Sequence, residues 1–161
     1  MEQMTAREPI PVYFLLRENT LALDLIGPAE VLRFANRAAE KEGRPPLFAL
    51  HYISAESRID TSIGLGLRGF TGLPDRLPEN AIVLLIGCTG SDDDFSSEAA
   101  QASVAWLRHN IHARHRLLCI CTGALLAAQA GLLDGRRCTT HHDHCDTLRH
   151  LAPRAQVQEN R

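Results

Sequence analysis

The stretch that decides the fold is residues 117–135, LLCICTGALLAAQAGLLDG. An apolar run ends at Cys121, and Thr122 and Gly123 lead directly into a segment rich in Ala and Leu. A sharp turn from a strand into a helix is typical of a nucleophile elbow, which exposes a reactive side chain at the start of the helix. The stretch therefore predicts a strand, a tight turn at Cys121 and a largely buried helix that runs through residues 122–135.

Strands and helices alternate along the rest of the chain. Apolar runs that predict strands occupy residues 10–17, 47–54 and 81–87. One helix is predicted to have Pro28 in its first turn and to end at Gly43, and Ser97 is predicted to cap a second over residues 98–112. The glycine-rich residues 62–70 predict a short hairpin or extended excursion, and residues 136–161 predict strand, helix and strand. This alternation favours an α/β domain with a mostly parallel sheet and helices on both faces.

Length and composition narrow the class of protein. The 161 residues, 45% of them apolar, are enough for one domain with a sizeable core. A net charge of −2 and an aromatic content of 5% give no electrostatic or stacking case for nucleic acid. Residues 1–9 are polar, no apolar run is long enough to cross a membrane, and the number of cysteines, five, is odd. We therefore expect a cytoplasmic chain without disulfides or membrane contact.

Cys121 has two interpretations that the sequence leaves open. A helix N-terminus behind a thiol lowers its pKa and stabilises the thiolate nucleophile. The amide of Thr122 would then supply half of an oxyanion hole, and the amide of Cys88 or Thr89 the other half. Alternatively, Cys121 is a buried and inert small residue, like Cys119 two positions earlier.

Asp24 lies in the apolar segment LALDLIGP, where a carboxylate needs a partner or a raised pKa. In open parallel sheets the loops that follow the strands meet at one edge. This places Asp24, the loop GCTG at residues 87–90 and Cys121 near one another, so that Asp24 would orient the thiol. The alternative is that Asp24 caps the helix that follows.

Residues 138–145, CTTHHDHC, suggest a metal site, but structural zinc sites usually combine two separated ligand clusters. We therefore expect no metal, and expect His141 to approach Cys121 as a base or hydrogen-bond partner. The acidic run SDDD, residues 91–94, is interpreted as a solvated loop before a capped helix.

Residues 21–36, LALDLIGPAEVLRFAN, and residues 119–142, CICTGALLAAQAGLLDGRRCTTHH, together resemble the DJ-1/PfpI superfamily, which has the class I glutamine amidotransferase-like fold. Within it the sequence is most similar to the amino-terminal domain of AraC-type transcriptional regulators. The resemblance implies a flavodoxin-like three-layer sandwich over residues 1–161, often dimeric, and we expect no cofactor. It also implies that the last strand and helix of the domain, and a helix-turn-helix domain, are absent from this chain.

The resemblance also implies functional roles for individual residues of this sequence. The catalytic positions match Cys121, Asp24 and His141. The ligand-binding positions match Gly87, Cys88, Thr89, Thr122 and Gly123. The oxyanion amides would be those of Cys88 and Thr122, although relatives usually have a glycine where Cys88 stands, which alters this loop.

These observations favour a ligand-sensing and oligomerising domain of a regulator. The expected ligand is a small metabolite, such as an amine-like or amide-like nitrogen compound, and the expected partner is a second copy of the chain. DNA would be bound only through a carboxy-terminal domain that the chain lacks. One alternative is a cysteine-dependent enzyme, such as an isonitrile hydratase, amidase or glyoxalase, and another is a thiol redox sensor.

Overall fold

The computed structural model describes residues 8–90 and 94–159. In chain order the elements are β1 (Ile10–Leu16), α1 (Ala22–Lys41), β2 (Phe48–Ser54), β3 (Ile59–Asp60), β4 (Gly66–Leu67), β5 (Ile82–Leu85), α2 (Glu98–Asn110), β6 (Arg116–Cys119), α3 (Gly123–Gln129), β7 (Arg137–Cys138), a 3₁₀ turn (His142–His144), α4 (Cys145–Leu151) and β8 (Gln156–Val157). No helix within these residues is both long and apolar enough to span a bilayer.

A parallel sheet of four strands in the order β2-β1-β5-β6 forms the centre of the domain. β3 and β4 form an antiparallel hairpin, and β7 and β8 form a small parallel pair. The expected α/β architecture and the excursion after β2 are confirmed. Because the strand order reverses between β1 and β5, a crevice is expected at the carboxyl ends of these two strands.

The core is divided between the two faces of the sheet. On one face, Val12, Phe14 and Leu16 of β1 pack with Leu25 of α1. On the other face, Leu15 of β1 belongs to a cluster that also holds side chains of α2, α3 and α4, among them Leu107, Leu125 and Leu148. Successive residues of a strand point to opposite faces, so a strand covered on both faces is a continuous apolar run. This is why the apolar runs predicted the strands correctly.

The start of α1 differs from the prediction. The helix begins at Ala22, more than one turn before Pro28, which lies inside it. The residue at the N-cap, Leu21, has no side-chain oxygen to accept an amide hydrogen, so the usual sequence signal is missing. Instead, the Ala22 amide donates to Oγ of Ser62 in the β3–β4 hairpin at 3.3 Å.

The other helix boundaries were predicted with mixed success. Ser97 caps α2 as expected, because its Oγ accepts the amide of Ala100 at 3.1 Å. α3 is shorter than expected, since it ends at Gln129 and Gly131 then adopts a φ of +74°. Most of the acidic run lies outside the described residues; within them, Asp94 is exposed and accepts the amide of Ser96 at 2.9 Å.

The turn between β6 and α3, residues 120–122 (the elbow), lies directly against β5. A Cβ atom on Gly123 would stand 2.1 Å from the carbonyl oxygen of Leu85, far inside van der Waals contact. Position 123 therefore accepts only glycine, and this allows the first turn of α3 to pack against the end of β5.

Replacing Gly123 with alanine should destabilise the fold by on the order of 3 kcal/mol, because backbone atoms of β5 must move to admit the methyl group. Gly27 in α1 provides the matched control, since a Cβ there meets nothing within 4 Å. Gly27→Ala should stabilise the helix by roughly 0.5–1 kcal/mol. Urea unfolding of both variants measures the two effects, and equal stabilities would contradict the close approach.

Candidate functional site

The turn after β6 holds Cys121 in a left-handed conformation, with φ at +51°. The Ile120 amide still donates to Leu85 O at 3.0 Å, and the Gly123 amide donates back to Ile120 O at 2.9 Å. These bonds fix the residues on both sides of Cys121. Such a conformation costs a residue with a Cβ roughly 1–2 kcal/mol and is uncommon outside functional or tightly constrained sites. The sharp turn predicted between the strand and the helix is therefore present, with the half-buried Cys121 at its tip.

Gly87, at the end of the β5 run, lies beneath both Asp24 and Cys121. A Cβ at position 87 would stand 2.9 Å from Asp24 Oδ2, 2.9 Å from a methyl of Leu21 and 3.0 Å from Cys121 Cβ. The carboxyl group and the cysteine thus approach the same point in space. The structure therefore brings together three of the positions predicted from the sequence, and the missing side chain of Gly87 makes room for them.

Asp24 lies in the first turn of α1, with a carboxyl group that is partly withdrawn from water. Its Oδ2 is buried and has no hydrogen-bond partner among the described residues. Desolvation raises the pKa of Asp24 above its ordinary value. The alternative in which Asp24 caps a helix that follows it is wrong, because α1 already begins at Ala22.

The loop after β5 is fixed to the elbow by one hydroxyl group. Thr122 Oγ1 accepts the Cys88 amide at 3.0 Å and donates to the Cys88 carbonyl at 3.1 Å. The next amide, of Thr89, donates to Asn19 O at 3.0 Å. The amides of Cys88 and Thr89, which were expected to serve an oxyanion hole, are thus already engaged. A ligand oxygen would have to displace Thr122 or Asn19 to reach them.

Three segments meet around this loop. The Leu21 amide donates to Gly87 O at 2.8 Å, which joins the start of α1 to the end of β5. The Ser62 amide donates to Thr20 O at 2.8 Å, which joins the β3–β4 hairpin to the same region. Sequence reasoning missed Asn19, Thr20 and Ser62, because their contacts are with distant segments and no local motif marks them.

The segment that contains His141 reaches the elbow through its neighbour. Thr140 Oγ1 donates to the Cys121 carbonyl at 3.1 Å, a contact that was not predicted. His141 Nδ1 accepts the Asp143 amide at 3.4 Å and lies 3.7 Å from the Asp143 carboxylate. The described partners of the His141 ring belong to its own turn, so its action on Cys121 stays a prediction.

The thiols of Cys119 and Cys138, near the turn, are withdrawn from water. Burial, and to a lesser degree the charge of Cys138, raises the pKa of Cys119 to about 12. Burial also raises the pKa of Cys138. Both thiols stay protonated at neutral pH and line a cavity of about 570 Å³ along β6, together with Leu117, Leu132, Arg136 and Thr139. Neither Asp24 nor Cys121 lines this cavity.

Comparison with known proteins defines the class. The sequence profile of the DJ-1/PfpI family matches residues 11–160. A putative transcriptional regulator from Vibrio parahaemolyticus has the same fold, with a TM-score of 0.75 at 20% identity over 96% of this chain and 78% of that one. An AraC family transcriptional regulator from Pseudomonas putida gives a TM-score of 0.66 at 17% identity over 94% of this chain and 77% of that one. The chain belongs to the DJ-1/PfpI family and has the flavodoxin-like fold expected of it.

A curated relative points to one branch of the family. The HTH-type transcriptional regulator GbdR of Pseudomonas aeruginosa is 30% identical over 149 residues, which make up 92% of this chain. The chain spans only 38% of the length of that regulator. The expected resemblance to regulators is therefore confirmed at the level of the shared domain.

Asp24→Asn should stabilise the fold at pH 7, because a carboxyl whose pKa is raised on folding is penalised in its ionised form. The wild-type chain binds this proton more readily when folded, so its stability falls as pH rises through the folded pKa. The advantage of the variant should therefore shrink as pH is lowered toward about 4, the usual carboxyl range. Urea unfolding at several pH values checks this, with the exposed Asp75→Asn as control. An advantage independent of pH would contradict the assignment.

Proposed function

We propose that this chain is the ligand-sensing domain of a cytoplasmic AraC-type transcriptional regulator. Its ligand is a small nitrogen compound that binds over Gly87, between Asp24 and Cys121. The likeness to regulators supports the class of protein. The arrangement of the site supports the class of ligand.

The observation that carries the proposal is the buried Oδ2 of Asp24, which has no hydrogen-bond partner in the described part of the chain. A buried carboxylate oxygen without a hydrogen bond costs free energy, and a donor supplied by a ligand recovers it. Ammonium and N–H groups are suitable donors, and their bonds to an ionised carboxylate are stronger than neutral ones. The predicted class of amine-like or amide-like compounds thus matches the chemistry that the site lacks.

Binding without chemistry is favoured by the loop after β5. Acyl and related transfers need amide donors aimed at the developing oxyanion. The amides of Cys88 and Thr89 already donate to Thr122 and Asn19. The elbow is therefore better suited to shaping a pocket than to stabilising a negatively charged transition state.

The contacts around the site offer a path for the signal. The start of α1 carries Asp24 and is hydrogen-bonded to Gly87 and to Ser62 of the hairpin. A ligand that binds one arrangement of these segments more tightly shifts the population toward it. The proposed readout of this shift is a change in how the regulator binds DNA.

Gly87→Ala tests the ligand site, because its methyl group would crowd Asp24 and Cys121. Calorimetry of small amines and amides should show binding to the wild-type chain and at least about a tenfold loss in Gly87→Ala and Asp24→Asn, the cost of one charge-assisted hydrogen bond. Cys121→Ser should retain binding. Gly72→Ala is the matched control, since a Cβ at Gly72 meets nothing within 4 Å. Equal affinity in all variants would contradict the site.

A cysteine-dependent enzyme is the second candidate, and the strained conformation of Cys121 favours it. In that case Asp24 accepts the proton of the Cys121 thiol, Cys121 attacks the substrate carbon, and the Thr122 amide stabilises the oxyanion. Turnover of isonitriles, dicarbonyls or amides that disappears in Cys121→Ala would establish the enzyme. Tight binding of these compounds without turnover would support the ligand-sensing domain instead.

We also propose that the domain forms a homodimer through the exposed face of α1. Four large apolar side chains there are mostly exposed: Leu23 at 82%, Ile26 at 54%, Val31 at 66% and Phe34 at 56%. They are placed symmetrically about the Pro28–Ala29 bond. An antiparallel pairing about a twofold axis therefore sets Leu23 against Phe34 of the partner subunit and Ile26 against Val31 of the partner subunit, as an isologous interface requires.

Phe34→Glu should weaken this dimer by about 100-fold, because a buried charge replaces an aromatic anchor at the interface. Ile63→Glu is the matched control, since Ile63 is a similarly exposed apolar residue, at 68%, that lies outside α1. Sedimentation equilibrium of the two variants and the wild type measures the effect. A monomeric wild type, or a dimer that survives Phe34→Glu, would contradict the interface.

A further inference from the structure

The turn that follows β7 gathers metal-ligating side chains that the proposed function does not use. His141, His142 and Asp143 each offer a ligand atom, and these atoms all lie within 4.8 Å of one another. His141 Nδ1 is 3.7 Å from one carboxylate oxygen of Asp143, and His142 Nε2 is 3.2 Å from the other. The carboxylate thus stands between two imidazole nitrogens.

These separations match those of ligands that share an ion. Two atoms bonded to zinc at about 2.1 Å and at a tetrahedral angle lie roughly 3.4 Å apart. The distances of 3.7 and 3.2 Å lie on either side of that value. The three ligand atoms, all within 4.8 Å of one another, are therefore close enough to share one ion.

The local structure already orients the first ligand. The His141 ring packs against the His142 ring with centroids 4.2 Å apart and the ring planes tilted by 32°. His141 Nδ1 accepts the Asp143 amide, so its lone pair faces Asp143, and at 3.4 Å this bond is weak enough to be exchanged for an ion. The His144 amide donates to His141 O at 2.9 Å and closes the turn. The buried Cys145 then anchors the turn to α4.

The donor set determines the kind of ion. Two imidazoles and one carboxylate suit Zn²⁺ and neighbouring transition metals, whereas Ca²⁺ and Mg²⁺ prefer oxygen ligands only. The His144 ring, 5.9 Å from that of His141, or a water molecule completes the coordination. The expectation of no metal rested on the lack of a second ligand cluster, but a site with three protein ligands and a water needs only one.

We propose that His141, His142 and Asp143 form a binding site for a divalent transition metal ion, with one ion per chain. The site is separate from the point over Gly87 where the ligand of the proposed function binds. An ion held by His141 Nδ1 also occupies the nitrogen that now faces Asp143, so that atom is unavailable as a base.

Calorimetry with ZnCl₂ on the chelator-treated full chain tests the site. The wild type should bind one Zn²⁺, and His142→Asn and Asp143→Asn should each weaken binding by at least about tenfold. Affinity should fall as the solution is acidified, because metal ligands must be deprotonated to bind the ion. Visible absorption of bound Co²⁺ should show nitrogen and oxygen ligands without a thiolate charge-transfer band.

Two exposed residues of α4 supply matched controls. His150→Asn and Asp146→Asn remove the same functional groups outside the turn and should leave Zn²⁺ affinity unchanged. No saturable binding up to about 1 mM Zn²⁺ would overturn the proposal. So would a thiolate band, or affinity that is unchanged in His142→Asn and Asp143→Asn, since the ion would then be bound by cysteines elsewhere.

Discussion

The close approach of Gly123 to the Leu85 carbonyl is the constraint on which the site depends. Because no side chain separates them, the first turn of α3 lies against the end of β5. Thr122, one residue earlier, then reaches both the amide and the carbonyl of Cys88 with a single hydroxyl. In the same turn, Cys121 adopts a left-handed conformation next to Gly87. A substitution at Gly123 would thus alter the loop after β5 as well as the helix.

At the site, the backbone amides have hydrogen-bond partners, whereas one side-chain oxygen has none among the residues that the structure describes. Around Gly87 the amides of Leu21, Cys88 and Thr89 all have acceptors within the protein. Asp24, in contrast, keeps a buried oxygen for which residues 8–90 and 94–159 supply no donor. Backbone amides that are all hydrogen-bonded hold the loops rigid. A carboxylate oxygen without a donor, placed among these loops, favours ligands that can donate a hydrogen bond.

The sequence was sufficient where the determinant was local. Apolar runs predicted β1, β2, β5 and β6, and the step from Cys121 to Gly123 predicted the sharp turn between β6 and α3. Prediction was wrong at the start of α1, because the acceptor for its first amide is Ser62, which is 40 residues away. It also gave no sign that Thr122 and Asn19 would engage the amides of Cys88 and Thr89, since such pairing depends on how two loops meet. Local chemistry can be predicted from a pattern, whereas hydrogen bonds between distant loops require the fold.

The left-handed backbone at Cys121 affects which residues evolution can favour at this position. Glycine would adopt a φ of +51° without the roughly 1–2 kcal/mol that a Cβ incurs there. For a protein whose whole stability is typically 5–15 kcal/mol, that is a noticeable share. Mutation toward glycine would therefore be favoured on stability alone. A thiol at this position is expected to persist only while its contribution to fitness outweighs that handicap.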